Sequence, residues 1–162
     1  MTDDPLALEQ QVCFALSRAS RAVIGAHRPV LEPLGLTHPQ YLVMLAMWER
    51  RRQSLKELST ALALEPATLS PLVRRLESFG HVTRRRDDAD ERTLVIELTD
   101  QGLALRERAR AVPLVMMERL GLKLTDVETQ RDLLNLLITA SAAAPEVTDA
   151  QLAMLSGADP VP

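Results

Sequence analysis

Between Val82 and Leu98 the chain abandons the helical spacing of its apolar residues, and this change of period restricts the possible folds most. Leu94, Ile96 and Leu98 alternate with Val95 and Glu97, the signature of a half-buried strand, expected over Thr93 to Leu98. An arginine-rich strand, Val82 to Arg86, precedes it. The polar run Asp87-Asp88-Ala89-Asp90 supplies a tip between the two. A single hairpin therefore interrupts a chain that is otherwise helical.

The helical segments carry their own punctuation. Leu8, Val12, Ala15, Leu16, Ala19 and Val23 recur at three- and four-residue steps, predicting a first helix from about Pro5 to Val30 that Pro29 and Pro33-Leu34-Gly35 end. Thr37-His38-Pro39-Gln40 and Ser54-Leu55-Lys56-Glu57 are capping boxes, opening helices to about Arg51 and Leu62. Pro66 suits the first turn of a helix to Phe79, with Gly80 as its stop and Leu69, Val73, Leu76 and Phe79 as its buried stripe. A helix from Thr99 or Asp100 to about Arg119 follows. Thr125-Asp126-Val127-Glu128 caps the last long helix, which Pro145 breaks. Thr148-Asp149-Ala150-Gln151 starts a short terminal one, and Gly157 to Pro162 are expected to be loose.

Composition narrows the class further. Aromatic residues make up only 2%, so Leu, Ala, Val and Met must fill the core, which favours helices. No run approaches the roughly 18 apolar residues of a membrane span. The acidic start Met1-Thr2-Asp3-Asp4 lacks the basic region of a secretory signal, so a cytoplasmic location is expected. The net charge is −3, but Arg50 to Arg92 hold ten Lys or Arg against seven Asp or Glu, a local surplus of +3 that leaves −6 on the flanks. A basic middle between acidic ends suits a nucleic-acid reader.

Two short helices with an exposed polar side on the second are the geometry that a DNA major groove accepts. On that second helix Thr68, Ser70, Pro71, Arg74 and Arg75 lie off the buried stripe. Arg74 and Arg75 suit guanine edges or phosphate, and Thr68 and Ser70 suit phosphate or a base edge. The hairpin adds Arg84, Arg85 and Arg86, with Arg92 near its tip for a narrow minor groove and Asp90 placed to hold the Arg92 fork. His81, after Gly80, reads as a capping or phosphate-side residue.

The combination of capped helix, second helix, basic strand, Asp90-Glu91-Arg92 turn, alternating strand and Leu98-Thr99-Asp100-Gln101-Gly102 resembles the MarR family of winged-helix transcription regulators, over about Leu8 to Leu137. The resemblance implies a mainly α fold: a winged helix-turn-helix with a small β-hairpin wing and a helical dimerisation region. It divides the chain into a dimerisation helix (1–36), the DNA-binding region (37–99), C-terminal dimerisation helices (100–145) and a short helix with a flexible tail (146–162). A homodimer would present two winged units to a pseudo-palindromic operator in double-stranded DNA, as a repressor and not an enzyme, with no cofactor or metal.

Leu8-Glu9-Gln10-Gln11-Val12-Cys13-Phe14-Ala15-Leu16, Pro33 to Tyr41, and Thr68-Leu69-Ser70-Pro71-Leu72 are similar to the organic-hydroperoxide-responsive (OhrR) branch. The resemblance implies that Cys13 is the redox sensor: its thiolate is oxidised to a sulfenic acid, the dimer packing is disturbed and DNA is released. His27 and His38 stand where the branch usually has tyrosines. With Tyr41 they form the set expected to support the sensor.

Cys13 and His27 are fourteen residues apart, about 21 Å along a straight helix. Any contact between them should therefore come from the partner subunit. With one cysteine per chain, the expected end state is a mixed disulfide with a low-molecular-weight thiol. One alternative stays within DNA binding, a repressor released by a small aromatic acid with Cys13 a bystander; the others are a metal site built from Cys13, His27 and His38, and a cysteine enzyme using either histidine as base.

Overall fold

A computed structural model of the chain describes residues 4–87, 90 and 92–156. The chain forms two compact units, divided after Leu120. In the first, a short 3-10 turn (Leu8–Gln10) leads into α1 (Val12–Leu31), followed by α2 (His38–Glu49), β1 (Arg52–Ser54), α3 (Leu55–Leu62) and α4 (Pro66–Ser78). The hairpin β2 (Val82–Arg86) and β3 (Leu94–Leu98) comes next, then α5 (Asp100–Ala109) and α6 (Val112–Leu120). The second unit holds α7 (Leu124–Ala142) and α8 (Asp149–Ser156).

The predicted caps form. Thr37 N–H donates to Gln40 Oε1 (2.8 Å), and Ser54 N–H donates to Glu57 Oε2 (2.7 Å) while Glu57 N–H returns to Ser54 Oγ. Thr148 and Gln151 cap α8 in the same reciprocal way. At the end of α4, Gly80 takes φ 78°, and His81 N–H reaches back to the Leu76 carbonyl while Gly80 N–H reaches Glu77. This is the left-handed stop that glycine adopts without a Cβ penalty.

Several expectations need correction. Pro29 does not end α1, which carries it in its last turn and runs to Leu31. The single helix expected from Thr99 to Arg119 is two, because Pro113 has no N–H for the Ala109 carbonyl and instead sits in the first turn of α6. Helix α7 begins one residue before Thr125, capped by the Asp126 carboxylate accepting from Lys123 N–H (2.8 Å). Phe79 is 37% exposed, so the buried stripe of α4 is Leu69, Val73 and Leu76. Asp88 and Ala89 in the expected tip, Glu91 of the Asp90-Glu91-Arg92 turn, and the expected loose end Gly157 to Pro162 lie outside the described residues.

The sheet has a third strand that the sequence pattern did not reveal. Its order is β1-β3-β2, antiparallel throughout, with Gln53 opposite Ile96 and Arg84 opposite Ile96 from the other side. As the central strand, β3 buries both faces: Ile96 at 0% and Val95 at 3% exposure. Val95 stands opposite Arg85, on the face that also carries Arg52 and Glu97, and long arginine stems cover apolar surface while their charges stay wet. Leu31, Met44, Met47, Leu58, Leu76, Val82 and Ile96 form the centre of the core, so methionine and leucine do replace aromatics there.

Gly102 shows how Leu98-Thr99-Asp100-Gln101-Gly102 acts as a unit. Thr99 Oγ1 accepts from Gly102 N–H (3.0 Å) as the N-cap of α5 and donates to the Gly80 carbonyl (2.6 Å). A Cβ on Gly102 would collide with the backbone carbonyl of His81 and with Leu98. Gly102→Ala should therefore destabilise the fold by about 1–3 kcal/mol, as overpacking does, with a lower urea midpoint at unchanged slope.

Candidate functional site

Two groups of expected site residues occupy different parts of the first unit. On α4, Thr68, Pro71, Arg74 and Arg75 are exposed. Ser70 is half-buried and its hydroxyl donates to the Pro66 carbonyl (2.8 Å), which holds the first turn together. Pro71 leaves the Ala67 carbonyl without its usual helical donor at this exposed face. Arg75 lies over the Phe79 ring, 4.8 Å from its centroid, so the exposed Phe79 shelves a guanidinium.

Strand alternation divides the arginine run. Arg84 donates through Nε (2.7 Å) and Nη2 (2.6 Å) to Glu77 Oε2, and its backbone N–H donates to Oε1 (3.0 Å). This clasp ties the hairpin to the end of α4. It also holds the Glu77 carboxyl below its ordinary pKa, chiefly through the Arg84 side-chain bonds. Arg85 pairs with Glu97 (2.8 Å) on the opposite face. Arg52, which sequence reasoning missed, joins the same network through Glu97 (3.1 Å) and Asp87 (2.9 Å). Its only signal was a place in Arg50-Arg51-Arg52, where nothing marks a strand. Arg86 Nη1 reaches the Arg92 carbonyl (3.4 Å).

At the tip, the Asp90 carboxylate accepts from Arg92 N–H (3.0 Å) and Thr93 Oγ1 (2.7 Å). Those two bonds lower its pKa, the Thr93 one most. Asp90 thus shapes the turn through the Arg92 backbone, where the sequence suggested a grip on the guanidinium fork. Arg92 itself is exposed.

The second group lies where α1 meets α2. His27 and His38 are edge-on with ring centroids 5.2 Å apart, and Tyr41 is 6.4 Å from His27. His27 Nδ1 is 2.8 Å from the Val23 carbonyl, which only accepts, so Nδ1 carries a proton and Nε2 is the open end. Burial, then the nearby His27 charge, holds His38 below its ordinary pKa. Burial alone raises Tyr41. Cys13 is exposed in the first turn of the same unbroken α1, so it does not join this cluster within its own chain. Beside the cluster, a groove of about 700 Å³ is lined by Arg21, Ile24, Arg28, Leu36, His38 and Pro39 among others.

His81 departs from its expected surface role. Its backbone does cap α4, but its side chain is buried (9% exposed), and Nδ1 finds no partner among the described residues. Desolvation lowers its pKa. Among the described residues no three His, Cys, Asp or Glu side chains gather as a metal site, and no helix is long and apolar enough to cross a membrane.

A helix pair, a clasped hairpin and a capped α5 define a winged helix-turn-helix. The family model for the transcriptional regulator SarA/Rot matches residues 26–108. The HTH-type transcriptional regulator TtmR of Methylorubrum extorquens is 46% identical over 111 residues, 68% of this chain and 57% of that protein, so the match leaves over two fifths of the relative's length uncovered. The organic hydroperoxide resistance transcriptional regulator of Bacillus subtilis is 39% identical over 110 residues, 68% of this chain and 75% of the relative. Among solved structures, reduced AbfR bound to DNA superposes with a TM-score of 0.74 at 31% identity, covering 88% of this chain and 97% of that one. A MarR-family regulator from Rhodococcus sp. RHA1 gives 0.72 at 30%, covering 88% and 99%. The chain belongs to the MarR family of winged-helix transcription regulators, within its organic-hydroperoxide-responsive branch. Its family is one of DNA-binding regulators and not of enzymes.

The two depressed histidines have a signed consequence. Each is neutral when folded, so the stability they contribute is present above the ordinary pKa of 6.5 and is lost as pH falls from there toward their lowered values. The urea midpoint should therefore be lower at about pH 5.5 than at about pH 7.5, and imidazole NMR should show His38 and His81 titrating below the free value.

Proposed function

We propose that the chain is a dimeric, cytoplasmic, DNA-binding repressor that senses organic hydroperoxides through Cys13 and then releases a pseudo-palindromic operator. The observation that carries this reading is the separation of parts on α1. An exposed Cys13 sits at one end, and a compact His27–His38–Tyr41 cluster near the other offers an open imidazole nitrogen. In an antiparallel pairing of two α1 helices, each cluster meets the partner's cysteine. Exposed Val12, Val23 and Ile24 on α1, and exposed Leu133, Leu134, Leu137 and Ile138 on α7, are apolar surface that a second copy would cover. The regions 1–36 and 100–145 thus act as dimerisation elements, with 37–99 as the DNA reader.

The chemistry balances simply. The Cys13 thiolate attacks one peroxide oxygen, the O–O bond breaks, and the alkoxide leaves as the alcohol after taking a proton; sulfur is oxidised to the sulfenic acid. His27 Nε2 can accept the S–OH hydrogen bond. A small thiol then displaces hydroxide from the sulfenic sulfur, leaving a mixed disulfide and water. On the DNA side, Thr68, Ser70, Pro71, Arg74 and Arg75 enter the major groove and Arg92 reaches the minor groove. Asp90 and Arg84 position the hairpin, and Arg85 and Arg86 face the backbone.

A second reading is favoured by the 700 Å³ groove with its apolar floor and the guanidinium side chains of Arg21 and Arg28: release by a small aromatic acid, with Cys13 uninvolved. One experiment separates the two. Operator release should follow one equivalent of cumene hydroperoxide in the native protein and vanish in Cys13→Ser; unchanged release from the variant would eliminate the thiol reading. Arg92→Ala should weaken operator binding and reduce the salt slope by about one, whereas loss of a base contact at Arg74 or Arg75 should cost about 1–3 kcal/mol and relax specificity.

A further inference from the structure

We propose that Trp48 is a positioning residue that couples the histidine cluster to the end of the recognition helix α4. The inference rests on the reading of that cluster as the sensor side. Trp48 continues the aromatic row: His38 to His27 at 5.2 Å, His27 to Tyr41 at 6.4 Å, and Tyr41 to Trp48 at 6.3 Å, the last edge-to-face. Tyr41 and Trp48 are seven residues apart on α2, so they share one side of it. These spacings fall within the range of direct aromatic packing.

Trp48 then leaves the row by a directional contact. Its indole N–H donates to the Gly102 carbonyl (2.8 Å), 54 residues away in sequence. Gly102 lies in the first turn of α5, and that turn and its N-cap hold the two carbonyls just past α4: Gln101 Nε2 donates to the Phe79 carbonyl (2.9 Å), and Thr99 Oγ1 donates to the Gly80 carbonyl (2.6 Å). Gly102 is also seated against the His81 carbonyl with no room for a Cβ. A close-packed turn of this kind moves as a block or not at all, so a shift of the aromatic row passes to α4 without being absorbed on the way. The role of Trp48 is to transmit.

Trp48 is the chain's one tryptophan, so its fluorescence reports this contact directly. In the native dimer its emission should change when operator DNA is added and again with hydroperoxide, the second change being absent in Cys13→Ser. Emission indifferent to both, while DNA is still released, would overturn the relay. Trp48→Phe keeps a ring but removes the N–H. It should form the Cys13 sulfenate at the native rate and bind operator within about threefold when reduced, yet lose at least about tenfold of the oxidation-driven drop in affinity, within the usual range for coupled sites. Full release by this variant would refute the proposal. If Trp48→Phe does not fold, Gln101→Ala cuts the same link at Phe79 and is judged by the same criterion.

A readout independent of the thiol separates this inference from the reading beneath it. Coupling is reciprocal, so operator DNA should shift the imidazole resonances of His27 and His38 in the native protein and much less in Trp48→Phe. Unchanged resonances on DNA binding would defeat the relay even if Cys13 is the sensor. A Cys13→Ser protein that still releases DNA would defeat the sensor reading and leave the resonance shifts to decide the relay.

Discussion

A backbone-on-backbone approach organises the winged unit. Helix α5 lies so near the His81 carbonyl that only glycine fits at position 102. The same first turn supplies Thr99 and Gln101 to the open end of α4. The hairpin departs from that end, and the Arg84–Glu77 clasp fixes its angle. Loosening the turn would free the recognition helix, the wing and the start of α5 together. These contacts are short, directional and partly buried, so each is costly to leave unmade.

Electrostatics refine this frame without holding it together. Ion pairs such as Arg85–Glu97 and Arg52–Asp87 are partly exposed, and solvent-screened pairs contribute from about zero to 1 kcal/mol. Their effect is to orient. They pair Arg52, Arg84 and Arg85 with carboxylates, while Arg74, Arg75 and Arg92 stay exposed on the proposed DNA face. A chain of net charge −3 can thus present a basic surface, because its positive groups are concentrated and only part of them is matched locally.

Much of the fold could be read from local signals. Capping boxes at Thr37 and Ser54, the Gly80 stop and the Pro66 start each obey short-range rules and form as expected; β3 is a strand as expected, but both its faces are buried where the alternation implied one. What escaped notice depended on partners remote in sequence. Strand β1 is three residues long, and only pairing with β3 makes it a strand. His81 looked like a surface cap, yet it is enclosed by packing around α5 and Phe79. The break before Pro113 is legible from the proline, although the apolar pattern runs straight through it.

For the candidate site, the family resemblance pointed to Cys13, His27 and His38 and residue type and placement to the arginines, while spacing alone showed that a thiol and an imidazole fourteen residues apart on one helix cannot meet within a chain. Caps, turns and helix faces follow from neighbours within about four residues, so a linear reading reaches them. Tertiary packing alone settled that His27, His38, Tyr41 and Trp48 form one row, that Trp48 ends on Gly102, and that Arg84 is turned inward onto Glu77 while Arg85 is turned outward. Those contacts join segments seven to more than fifty residues apart, and their geometry exists only once the helices have docked.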